Sequence, residues 1–226
     1  MCIVSYINNK NSFYLTSNRD IPNSRKIALS PKKYTINGQE LTFPKDPDAG
    51  GSWIAATSTR LGCILNAKNK KIIDNNNSRG IFLIESLTQQ EPENYFIEYS
   101  LNNTYPFFMI LLDLNKNKLK RLIWDGTEKK IENLNIKQNY LWMSTSIYED
   151  KIINDKQYLF KKILTNEITK SKILDFHNSN QYDSANNNKM NTVNITQISG
   201  TSKINDINYY DLLNADSKKE TTEIEN

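Results

Sequence analysis

The 226-residue chain contains one histidine, two cysteines, 7 glycines and 6 prolines, and each scarcity excludes something. With His177 as the lone imidazole, a Ser-His-Asp triad or a histidine-built zinc site has one member and no neighbour at motif spacing, and the residue reads as lying at a helix end. Gly50-Gly51 is followed by neither a third glycine nor Gly-Lys-Ser, so no phosphate-cradling loop is present. Cys2 and Cys63 are too few for a disulfide scaffold, and a chain of this length hides about 70% of its unfolded surface without one. No apolar run approaches the roughly 20 residues that span a bilayer; the longest, Phe107 to Leu112, is strand-sized. The N-terminus lacks a basic region followed by an apolar stretch, so a cytoplasmic location is expected, where a Cys2–Cys63 disulfide is not. A net charge of +4, from 29 basic and 25 acidic residues, is too small an excess for a phosphate-neutralising face, which sets nucleic acid aside. What is abundant is asparagine, with 32 residues, and this reads as a compositional bias carrying no function.

The periodicities predict segregated runs of strands and helices. Residues 2–7 and 12–17 form a first hairpin; 22–51, with four prolines, are mostly loop with one strand near 34–41; 53–57 and 62–66 form a second hairpin whose strands are apolar enough for burial on both faces. Ser78 is the N-cap of a helix through Thr88, and Pro92 opens another that runs to about Leu101. A three-strand meander follows over 107–114, 118–124 and 130–134, then a strand over 141–146, helices over 149–166 and 169–176, an Asn-rich loop over 178–189, and closing strands over 192–198 and 203–209. This order favours an α+β domain over residues 1–214, with antiparallel sheets covered by helices, and a polar tail without structure over 215–226.

Cys2 is the most informative position. Removal of Met1, favoured by a small second side chain, leaves a thiol and a free α-amine of pKa near 8 on one residue, so nucleophile and base coincide. The alternative is a small apolar filler at the start of a strand. In Thr16-Ser17-Asn18-Arg19-Asp20, at the end of the second strand, Arg19 depresses a nearby thiol pKa and Asp20 holds an amine, or the two are a surface ion pair. Trp53 is core or pocket wall. Lys116, Lys118, Lys120 and Arg121 make a basic strip on the meander, read as solubility and protection of an edge strand rather than contact with an acidic ligand.

Met1-Cys2-Ile3, Ser17-Asn18-Arg19-Asp20, Gly50-Gly51-Ser52-Trp53-Ile54, Gly62-Cys63-Ile64-Leu65-Asn66 and Ser78-Arg79-Gly80 stand in the order found in the NRDE family, the relatives of transport and Golgi organisation protein 2, and the chain resembles that family over roughly its first 90 residues. Ser144-Thr145-Ser146 and Asn191-Thr192-Val193 sit where the family has comparable strand motifs. The resemblance implies an N-terminal nucleophile hydrolase fold, a four-layer αββα sandwich, with Cys2 as nucleophile, Arg19 and Asp20 beside it, and Asn66 as an oxyanion-hole donor. It further implies Asn18, Trp53, Arg79 and Ser146 as substrate contacts, no cofactor and no metal. An amide or thioester hydrolase or acyltransferase is the activity implied. A non-catalytic carrier of haem or an acyl-CoA is the alternative, since family members are linked to haem trafficking and lipid homeostasis. Departures from the family pattern are Ile21 in place of a glutamate, hydroxyls at Thr145-Ser146 where amidases have a second asparagine, and no arginine near Thr192.

Overall fold

A computed structural model describes residues 3–22, 24–68, 77–146, 148–165, 167–181, 190–213 and 219–224. Among them the chain is α+β and mostly strand. The order is β1 (Ile3–Asn9), β2 (Ser12–Pro22), β3 (Leu29–Ile36), β4 (Gln39–Lys45), β5 (Ile54–Ala56), β6 (Arg60–Asn66), α1 (Arg79–Leu87), α2 (Pro92–Glu98), β7 (Phe107–Asp113), β8 (Lys118–Trp124), β9 (Lys129–Leu134), β10 (Tyr140–Met143), α3 (Asp150–Ile163), α4 (Lys170–Ser179), β11 (Met190–Gly200), β12 (Ile204–Asp211) and β13 (Lys219–Glu223). The strands form two antiparallel sheets, ordered β10-β1-β2-β11-β12-β13 and β3-β4-β5-β6-β7-β8-β9. No helix among the described residues is long and apolar enough to cross a membrane.

Alternation along each strand decides what it packs against. Val4 and Tyr6 of β1 and Phe13 and Leu15 of β2 join Ile54, Leu61, Cys63, Leu65, Phe108 and Ile110 of the other sheet in the largest apolar cluster. The intervening side chains of β1 point the opposite way, Ile3 onto Met143 and Tyr148, and Ile7 onto Phe160, Ile173 and Phe176 of α3 and α4. On the second sheet Ala55, Ile64, Met109 and Leu111 meet Phe82, Leu83, Leu87 and Phe96 of α1 and α2. Burial on both faces is why β1, β6 and β7 read as continuous apolar runs rather than alternating ones.

The two helix starts read from the sequence, Ser78 and Pro92, are where the structure has them, and the structure adds a cap at Thr169. The Ser78 side chain accepts a hydrogen bond from the Ile81 N–H, Pro92 opens α2, and the Thr169 side chain accepts from Lys172 N–H at the start of α4. Four expectations need correction. The single strand near 34–41 is a hairpin: Asn37 and Gly38, at φ 49° and 76°, make the two-residue turn between β3 and β4, and an Asn-Gly pair adopts that left-handed geometry at least cost. The polar tail contributes β13, an edge strand paired with β12; its β-branched Thr221 and Thr222 and the open edge of β12 outweigh its polarity. The lysine strip does not guard an edge, because β8 lies between β7 and β9; Lys116 and Lys120 instead form ion pairs with Glu91 and Glu93 at the start of α2. Finally, β2 continues to Pro22, so Arg19 and Asp20 sit inside a strand and their side chains leave opposite faces.

Candidate functional site

At the end of β2 the chain turns through Arg25 and runs along β3 and β4 before returning at Asp46, whose carboxylate ties the returning chain to β2. One carboxylate oxygen accepts from the backbone N–H groups of Asp48 and Ala49, a local turn that the Asp-Pro-Asp sequence favours. The other accepts from Nη2 of Arg19 at 2.6 Å and Nη2 of Arg25 at 2.8 Å. Burial pushes the Asp46 carboxyl up, and the two guanidinium groups override it, so it stays below the usual carboxylate range. Arg19 is 2% exposed, and its guanidinium lies 4.3 Å over the Trp53 ring. Burial lowers its pKa, and Asp46 offsets only part of that.

Gly51 and Gly80 lock this loop to the first turn of α1. The Ser52 N–H donates to the Gly80 carbonyl at 3.3 Å, and a Cβ on Gly51 would fall 2.4 Å from the Gly80 carbonyl carbon. The Gly-Gly-Ser-Trp and Ser-Arg-Gly motifs are therefore the two sides of one backbone contact, and it brings Arg79 into the site. Burial, with Arg25 nearby, pushes the Arg79 guanidinium down to about 10. Its Nη1 donates to the Pro106 carbonyl at 3.4 Å, and the group lies 5.9 Å from the Tyr105 ring.

These elements enclose a cavity of about 360 Å³. Arg19, Asp20, Trp53, Asn66 and Arg79 line it, together with Arg25 and Asp46, which sequence reasoning did not select. Ile21 adds an apolar wall where the resembled family has an acid. The Thr192 hydroxyl donates to one Asp20 oxygen at 2.5 Å and the Tyr148 hydroxyl to the other at 3.3 Å. Three donors on the lining residues, Nη1 of Arg19, Nε of Arg25 and Nε1 of Trp53, are buried without a hydrogen-bond partner among the described residues. A buried polar group left so costs about 1–3 kcal/mol, and more when charged.

Cys2 lies outside the described residues; Ile3, the next residue, pairs with Asn18 across β1 and β2. Asn18 does not line the cavity. Alternation sends its amide to the other face, where Nδ2 donates to the His177 carbonyl at 3.0 Å and Oδ1 lies 2.6 Å from His177 Nδ1. Because Oδ1 can only accept, Nδ1 carries the proton, and Nε2 accepts from the Ser5 hydroxyl at 2.8 Å. Hydroxyl, imidazole and amide are thus connected as in a nucleophilic triad, yet Ser5, Asn18 and His177 are all fully buried and none lines the cavity, so the set is structural. Burial pushes His177 down to about 3, which holds it neutral. Ser146 is exposed and outside the cavity lining; its hydroxyl lies 2.7 Å from that of Ser144, which donates to the Asn66 carbonyl at 2.6 Å.

No family model matches the chain, and no curated protein matches it.

Cys63 is excluded as a nucleophile. It is fully buried in the cluster shared by the two sheets, and burial raises its thiol to about 12. Iodoacetamide at neutral pH is expected to leave Cys63 unmodified in the native protein and to alkylate it in urea, as read by peptide mass; native-state labelling would contradict the burial. Among the described residues no cluster of three or more His, Cys, Asp or Glu side chains is arranged to hold a metal. The cavity residues missed from sequence are Arg25 and Asp46, and Asp46 lies 27 positions from Arg19. The Asp-Pro-Asp turn was a signal for Asp46, and His177 lies in the last turn of α4, as read from the sequence.

Proposed function

We propose that the chain is an N-terminal cysteine hydrolase or acyltransferase of the NRDE type, built as an αββα sandwich and acting on an amide or thioester. The layered reading is supported by the apolar cluster shared between the two sheets and by the separate clusters that each sheet makes with its own pair of helices. The observation that carries the functional reading is that Arg19 and Asn66 line one cavity at the end of β2, the strand that pairs with the one beginning at Ile3, with Asp20 at its border and its carboxylate leaving the opposite face of β2.

In this reading Met1 is removed and the Cys2 α-amine takes the thiol proton. The thiolate attacks the carbonyl carbon of the substrate, and the Asn66 amide donates to the oxygen as it becomes negative. A donor of this kind is worth about 3–4 kcal/mol in the transition state. The carbon–nitrogen or carbon–sulfur bond then breaks, and the departing group takes the proton from the α-ammonium. The acyl group is now a thioester on Cys2. Water attacks it, the amine accepts the water proton, the carbon–sulfur bond breaks and the sulfur regains its proton; an acceptor amine in place of water gives acyl transfer. The Arg19 guanidinium favours the thiolate.

The test is intact-protein mass after exposure to an acyl-thioester probe. The expected result is loss of one methionine from the mature protein, a single acyl adduct on the wild type, and none on Cys2→Ala. An adduct of the same size on Cys2→Ala, or a mature protein that retains Met1, overturns the reading.

A further inference from the structure

The polar lining of the cavity has an imbalance that the hydrolase chemistry does not use. Asp46 is engaged by both Arg19 and Arg25, and Asp20 by Thr192 and Tyr148. Among the described residues Nη1 of Arg19 has no hydrogen-bond partner although the residue is 2% exposed, and neither has Nε1 of Trp53, the ring on which that guanidinium stacks. Half-buried Arg79 makes only one long bond to a backbone carbonyl and pairs with no carboxylate among the described residues. Arg19, Trp53 and Arg79 line the same cavity, so donors that lack an acceptor among the described residues, two of them on guanidinium groups, border a common space. A guanidinium presents parallel N–H groups at the spacing of two oxygens of a carboxylate or phosphate, which a neutral amide or an apolar tail does not match.

We infer that the substrate carries an oxyanion group, a carboxylate or a phosphate, that is held by Arg79 and by the free Nη1 of Arg19. The inference rests on the proposed hydrolase for the reaction, but not for the binding. A cavity of about 360 Å³ is at the small end of ligand sites, so the anion belongs to a small acylated molecule, or to one end of a larger one. Arg79 is then a specificity residue, and its place on the first turn of α1 explains why a backbone contact as close as Gly51 on Gly80 is kept there.

Calorimetric titration of the full chain carrying Cys2→Ala, in which no turnover occurs, tests this with inorganic phosphate, N-acetylglycine and neutral N-acetylglycinamide as probes. Saturable binding of one of the two anions and none of the neutral amide is expected. Phosphate alone identifies a phosphate-bearing substrate, and N-acetylglycine alone a carboxylate-bearing one. Adding Arg79→Met is expected to weaken binding at least tenfold, Arg79→Lys severalfold, and Lys137→Met, at an exposed position away from the cavity, not at all. Absence of saturable binding by both anions overturns the inference, as does unchanged affinity in Arg79→Met. Should that variant fail to fold, unchanged affinity in Arg79→Lys does the same. Failure of the Cys2 labelling experiment would leave this anion site standing, and failure of anion binding would leave the Cys2 chemistry standing.

Discussion

Acidification from about pH 6.5 to about pH 4.5 is expected to remove about 2 kcal/mol of folding stability through His177 alone. The unfolded imidazole takes a proton near its ordinary value of 6.5, whereas the folded one resists until about 3, because burial disfavours its charged form and the Lys156 ammonium opposes it. Between those values the unfolded chain holds the extra proton, so stability is full above pH 6.5 and falls with pH at up to about 1.4 kcal/mol per unit. His177 is the only histidine, and the carboxyls of Asp46, Glu93 and Glu132 are held below their usual range. Those carboxylates begin to lose their contribution only as pH falls through their ordinary values of 4.5 for Glu93 and Glu132 and 3.8 for Asp46, which leaves the window above about pH 5 to the imidazole. Urea titrations at half-unit pH steps are expected to give this slope in the wild type and a flat profile in His177→Gln. An equal slope in that variant would assign the effect elsewhere.

Gly80→Ala should destabilise the protein by about 3 kcal/mol, against the sign that helix propensity gives. In an isolated helix, replacing glycine by alanine gains about 1 kcal/mol. Here the added Cβ falls 2.7 Å from the Ser52 carbonyl oxygen and 2.8 Å from its nitrogen, both backbone atoms that cannot rotate away. Gly51→Ala meets the same wall from the other side, at 2.4 Å and 2.5 Å from the backbone of Gly80 and Ile81. Gly50, whose site is open, has φ of +72°, so Gly50→Ala carries only the left-handed backbone cost of about 1–2 kcal/mol. Thermal melts are expected to rank Gly51→Ala and Gly80→Ala well below Gly50→Ala, with losses of roughly 6–12 °C for the first two. Since the same contact brings Arg79 to the cavity, these variants should also weaken anion binding.

The segregated order of strands and helices, the capped start of α1, the proline start of α2, and the meander over β7, β8 and β9 were legible because each depends on neighbours in sequence. The β3–β4 hairpin was legible too, but the prolines around it outweighed the Asn37-Gly38 pair that makes its turn. Of the residues selected for a site, Arg19, Asp20, Trp53, Asn66 and Arg79 meet at one cavity, while Asn18 and Ser146 do not line it. The separation of Asn18 from Arg19 follows from strand alternation once β2 is known to extend to Pro22, and only its pairing with β11 extends it so far.

By itself the sequence determined which segments are apolar enough to be buried and where helices begin, because patterning and capping are local properties. The tertiary structure decided which of those groups share a space: Asp46 between two arginines, Arg19 stacked on Trp53, Arg79 delivered by two touching glycines, and His177 sealed against Ser5 and Asn18. Those are contacts between segments far apart in the chain. Their existence depends on how two sheets and four helices close over one another, which no single stretch of residues encodes.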